Sequence, residues 1–127
     1  MRIEHVAAYV EDLYAARDFF EVYLGAMAGE EYHNPRTGFR SFFLSFEDGA
    51  RLEIMTKPDV ETADASVERT GFTHLAFSVG SETRVDELTA RLRVAGYEAV
   101  SGPRTTGDGY YESCVVAVSG LRIEITV

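Results

Sequence analysis

His5-Val-Ala-Ala-Tyr-Val10 and His74-Leu-Ala-Phe-Ser-Val79 are two copies of one pattern, 69 residues apart. Each reads as a β-strand. One face carries His5, Ala7 and Tyr9, or His74, Ala76 and Ser78; the other carries Val6, Ala8 and Val10, or Leu75, Phe77 and Val79. A helix follows in both copies, with Asp12 and Ser81 as N-caps. Its apolar stripe is Leu13, Ala16, Phe20 and Tyr23 in the first and Val85, Leu88, Leu92 and Ala95 in the second, each pair offset by 72. Gly25 and Gly96 then stand where a left-handed C-cap belongs.

Three shorter apolar segments close each copy. They are 26–33, 39–47 and 50–56 in the first, with turns at Asn34-Pro35 and Asp48-Gly49. In the second they are 97–101, 110–118 and 121–127, broken at Gly102-Pro103, Gly107-Asp108-Gly109 and Ser119-Gly120. The last segments nearly repeat, as Arg51-Leu-Glu-Ile-Met and Arg122-Ile-Glu-Ile-Thr, offset by 71. The polar stretch 57–70 reads as a connector. The order is β-α-β-β-β twice, an α+β fold of two modules, 1–56 and 71–127, with linker 57–70. Each module is only about 55 residues, so the two are expected to share a single domain over 1–127.

Strand alternation gives the repeat a chemical meaning. Leu52 and Ile54, and Ile123 and Ile125, must face the helices to be buried, so Glu53 and Glu124 face away, together with His5 and His74. A lone His or Glu on a strand is ordinarily structural or solvated. Two of each at matched offsets in a duplicated unit imply two-fold related residues that converge on one divalent metal. Imidazole and carboxylate donors suit Ni, Zn, Co, Mn or Fe rather than Ca or Mg. Four protein ligands leave positions for water or substrate on a six-coordinate ion, the mark of a catalytic site.

Composition narrows the rest. Net charge is −9 with no basic cluster, which argues against a nucleic-acid partner. The N-terminal stretch shows no signal-peptide pattern, and no apolar run approaches a membrane span. The lone Cys114 excludes an internal disulfide and suits the cytoplasm; with no His at nucleophile spacing it reads as a buried structural thiol. Open sheets leave apolar edges for a second copy to cover, which predicts a homodimer.

The duplicated unit with its His, Glu, His, Glu set resembles the vicinal oxygen chelate superfamily, which holds glyoxalase I, the bleomycin resistance proteins and ring-cleaving dioxygenases. Glyoxalase I is the most similar in its ligands. The resemblance spans His5 to Glu124. It implies a cupped mixed sheet around the metal with helices on the outer face. It also implies a lyase or isomerase that transfers a proton next to a metal-bound carbonyl of a small molecule, with Glu53 or Glu124 as the catalytic shuttle. Glutathione-using members carry an Arg at the position of Tyr9 and an Asp-Pro-Asp-Gly-type turn where this chain has Ser119-Gly120. Both departures argue against glutathione. The alternatives within the superfamily are a dioxygenase, which Glu53 would crowd, a metal-dependent thiol transferase, disfavoured on similar grounds, and a resistance-type binding protein, which needs no ligand quartet. Tyr9, Arg51, Met55 and Arg122 share the ligand face as candidate substrate contacts. Tyr110, with His33, Arg40 and Tyr111, is a further candidate, whereas Phe42, Phe43 and Phe46 read as core.

Overall fold

The computed structural model describes residues 1–62, 68 and 70–127. The chain forms two compact units, Met1–Ala63 and Asp64–Val127, divided inside the expected linker. Of that linker, residues 63–67 and 69 lie outside the described residues.

The first unit runs β1 (His5–Tyr9), α1 (Leu13–Leu24), β2 (Met27–Ala28), β3 (Tyr32–Asn34), β4 (Phe39–Ser45) and β5 (Arg51–Thr56). The second runs β6 (Leu75–Ser78), α2 (Glu82–Val94), β7 (Glu98–Thr105), β8 (Tyr111–Val116) and β9 (Arg122–Thr126). Each unit has one mixed sheet, ordered β1-β5-β4-β2 with β3 also on β4, and β6-β9-β8-β7. In both, the first and last strands pair in parallel and the remaining pairs are antiparallel.

Helix ends follow the capping chemistry. Asp12 accepts the backbone N–H groups of Tyr14 and Ala15, and Ser81 that of Arg84, which satisfies donors no helical carbonyl can reach. Gly25 ends α1 at φ +66°, a conformation in which a Cβ would be costly. Each helix covers one face of its own sheet. Leu13, Ala16, Phe19 and Phe20 of α1, with Phe42, Leu44, Leu52 and Ile54 of its sheet, form the first core. Val85, Leu88 and Leu92, with Val115, Ile123 and Ile125, form the second. Among the described residues no helix is long and apolar enough to cross a membrane.

Three expectations need correction. The segment 26–33 is two strands, because the chain leaves β4 after Gly29 donates to the Phe43 carbonyl at 2.9 Å. Gly102-Pro103 does not end a strand. β7 continues to Thr105 through register shifts, with Gly102 at φ +74° and no room for a Cβ against the backbone of β8. Ala95 is exposed, and Thr89 takes a buried place on α2 instead.

Candidate metal centre

The parallel registers decide where the four expected ligands stand. In the first sheet His5 lies opposite Arg51 and Ala7 opposite Glu53, so His5 and Glu53 are diagonal neighbours on the face α1 leaves uncovered. The second sheet repeats this with Ala76 opposite Glu124 and His74 immediately before β6. There the His74 Nε2 lies 3.3 Å from the Glu124 Oε2.

The rest of each imidazole is engaged by the residue before it. His5 Nδ1 contacts Glu4 Oε2 at 2.5 Å, and His74 Nδ1 contacts Thr73 Oγ1 at 3.0 Å. A carboxylate can only accept, so the His5 Nδ1 donates to Glu4. The same bond, with a second from Arg51, holds the Glu4 carboxyl below its ordinary range. Oxygen partners of this kind fix the tautomer and ring orientation of metal-binding histidines.

Among the described residues no group of three or more His, Cys, Asp or Glu side chains gathers to hold a metal ion. The expected quartet stands as two N,O pairs, one in each unit. In donor type both pairs fit a divalent transition metal.

The surroundings differ between the units. Phe43 lies opposite Glu53, its ring edge-on to His5 at 5.4 Å. The equivalent neighbour of Glu124 is Cys114. Phe43 and Cys114 therefore belong to the ligand faces and not to the core, and alternation along β4 and β8 was the signal for both. Burial pushes the Cys114 thiol up. Glu112, two residues along the same face, has its carboxyl raised by burial and then by the nearby Glu124.

The candidate substrate contacts separate. Tyr9 and Met55 are register partners on the first ligand face. Arg51 shares that face but is bound to Glu4, its guanidinium 4.2 Å from the centroid of Phe43. Arg122 lies opposite Val116 on the second ligand face. Tyr110 precedes β8 in a turn, its carbonyl accepting the Thr106 N–H at 2.8 Å. Three candidates do not reach a ligand face. Arg40 bonds Glu31 and the Tyr14 hydroxyl on the helix side, and His33 is its register partner. Tyr111 donates to Asp86 of α2 at 2.7 Å.

Comparison with known proteins agrees with this architecture. YqjT of Bacillus subtilis, an uncharacterized protein, is 29% identical over 130 residues, covering 97% of this chain and 96% of its own. A possible glyoxalase from Bacillus cereus superposes with TM-score 0.72 at 27% identity, covering 100% of this chain and 99% of its own. A trypanothione-dependent glyoxalase I from Leishmania major shares the fold, with TM-score 0.79 at 22% identity, over 99% of this chain and 86% of its own. The family model for the Glyoxalase/Bleomycin resistance protein/Dioxygenase superfamily matches residues 2–125, and the chain belongs to that superfamily.

Proposed function

We propose that the protein is a metal-dependent lyase or isomerase that moves a proton on the carbon next to a carbonyl of a small molecule. One divalent transition ion per chain (Ni, Zn, Co, Mn or Fe) is held by His5, Glu53, His74 and Glu124. The observation that carries this reading is the duplicated half-site, in which a His with its Nδ1 already engaged stands beside a Glu on an uncovered sheet face. When bound, the metal supplies Lewis-acid polarisation of a substrate oxygen. The chain supplies the rest. Glu4 and Thr73 orient the imidazoles, and Glu53 or Glu124 takes and returns the proton. Glutathione is disfavoured as the substrate, because Tyr9 offers a phenol where a guanidinium fork is wanted. The reading includes a cytoplasmic homodimer, supported by the single cysteine and by β1 and β6 standing at sheet edges.

The test is metal-dependent deuterium exchange. Chelator-treated protein is reloaded with Ni, Co, Zn or Mn, and exchange next to the carbonyl is followed by NMR across 2-oxo acids, hydroxyketones and thiol adducts of 2-oxoaldehydes. Exchange that needs the metal, and that falls in Glu53→Gln or Glu124→Gln, is the expected result. Failure to take up any of the four ions would overturn the reading.

A further inference from the structure

Cations stand at both ends of β5. Past its C-terminal end the Lys57 ammonium lies over the Tyr9 ring, 5.4 Å from the centroid. At its start Arg51 lies opposite His5, and its backbone N–H donates to the Glu4 carbonyl at 3.0 Å. Neighbouring side chains of an extended chain point to opposite faces, so strand geometry alone does not bring Glu4 to His5. The Glu4 carboxylate nevertheless sits on the imidazole side, its Oε2 2.5 Å from His5 Nδ1. Arg51 takes the other oxygen. Its Nε, at 2.9 Å, and its Nη2 both donate to Oε1. One carboxylate thus joins two residues that face each other across the parallel pair β1–β5.

Phe43 closes the set. The Arg51 guanidinium lies 4.2 Å from the centroid of its ring, and that ring stands edge-on to His5 at 5.4 Å. His5, Glu4, Arg51 and Phe43 therefore form a closed circuit of contacts around the first imidazole. The His5, Glu4 and Arg51 side chains are well exposed, and exposed ion pairs add little to folding stability. What such a circuit does supply is orientation. The second copy keeps the arginine, as Arg122, but has Thr73 in place of Glu4 and Cys114 in place of Phe43. There the Nδ1 of His74 meets a neutral hydroxyl. We propose that Arg51 is a positioning residue of the first half-site. It holds the Glu4 carboxylate and the Phe43 ring against His5, so that the imidazole meets a metal ion in one orientation. Arg51 thereby leaves the set of candidate substrate contacts. The inference rests on the proposed function for the metal; the hold on the imidazole requires only the four side chains.

The test is a double-mutant cycle with two readouts. Ring-15N NMR of chelator-treated protein at about pH 9, where histidine is neutral, reads the tautomer of His5. Calorimetric titration with Zn reads the affinity. Wild type should carry the His5 proton on Nδ1. Arg51→Gln should move the His5 signals toward mixed tautomers and weaken Zn binding about tenfold or more, while the His74 signals stay in place. Arg51→Lys keeps a cation for Glu4 but loses the planar fork, and should fall between the two. Arg51→Gln added to Glu4→Ala should cost far less than the same change in wild type, because the arginine acts through that carboxylate. Losses that multiply, or a His5 tautomer unaltered in Arg51→Gln, would overturn the positioning role. Protein that takes up no Zn yet shows the tautomer shift would support the positioning of His5 and sink the metal reading alone.

Discussion

Glu4 is an exposed acid next to the candidate ligand His5, and nothing in the strand pattern separates it from a solvated charge. The structure gives it two partners, His5 Nδ1 and the Arg51 guanidinium. Glu4→Ala should therefore weaken metal binding by the 10- to 100-fold typical of a lost outer partner, with the circular dichroism unchanged. An unchanged metal affinity by calorimetry would reduce Glu4 to a surface charge. Glu53→Gln and Glu124→Gln keep shape and remove basicity. The one that shuttles the proton should lose turnover by at least about 10²-fold at equal metal occupancy. Full activity in both variants, with metal retained, would mean neither does acid–base work. The His and Glu positions were legible because the repeat states them twice. Phe43 and Cys114 follow from the same alternation once applied to the middle strands. The Lys57–Tyr9 contact was not legible, since it joins residues 48 apart and has no copy in the second unit, where Ser78 and Thr126 take the places of Tyr9 and Met55.

Between helix and sheet the two units solve one packing problem with different chemistry. Thr89 on α2 meets Ser113 on β8 at 2.6 Å, both fully buried, and Thr89 also donates to the Val85 carbonyl at 2.6 Å. The equivalent positions on α1 and β4 are Arg17 and Phe42, whose guanidinium and ring lie 5.5 Å apart. Thr89→Val is isosteric but leaves the Ser113 hydroxyl buried without its acceptor. It should cost about 1–3 kcal/mol in denaturant unfolding, and Thr89→Val with Ser113→Ala should cost less than the sum of the singles. Additive losses would show that the hydroxyls do not depend on each other. The first unit instead clips α1 to its sheet through Glu31, which accepts from Tyr14 at 2.7 Å and from Arg40 at 2.5 Å. These bonds hold the Glu31 carboxyl below its ordinary range, the Tyr14 bond foremost. A depressed folded value means the contribution is present above the unfolded value and is lost as pH falls through the folded one. Wild type should thus exceed Glu31→Gln in urea midpoint at neutral pH, with the gap closing below about pH 4. A gap independent of pH would point to packing, not charge. Helix spans and caps were legible from period and capping residues. The break at Gly29 and the run of β7 past Pro103 were not, because both depend on which backbone groups of the neighbouring strand come within reach.

For the whole molecule the duplication makes a prediction that neither unit makes alone. A single His–Glu pair offers a metal two donors, whereas structural and catalytic sites for these ions use three or four protein ligands. If each pair acted by itself, the chain would bind two ions, both weakly. If the pairs act together, it binds one ion through four ligands, whichever copy of the chain contributes each pair. Removing either imidazole then leaves three donors at best, so His5→Ala and His74→Ala should each weaken the same site. Binding to the folded state alone also stabilises it, by about 2.7 kcal/mol at a free-ion concentration one hundred times Kd. Titration of chelator-treated protein with Ni or Zn should therefore saturate at one ion per chain. The same ion should raise the thermal midpoint by several degrees, reversibly with EDTA. Both effects should fall in both histidine variants. Saturation at two ions per chain, or one histidine variant that keeps full affinity, would show that the repeated pairs are separate sites.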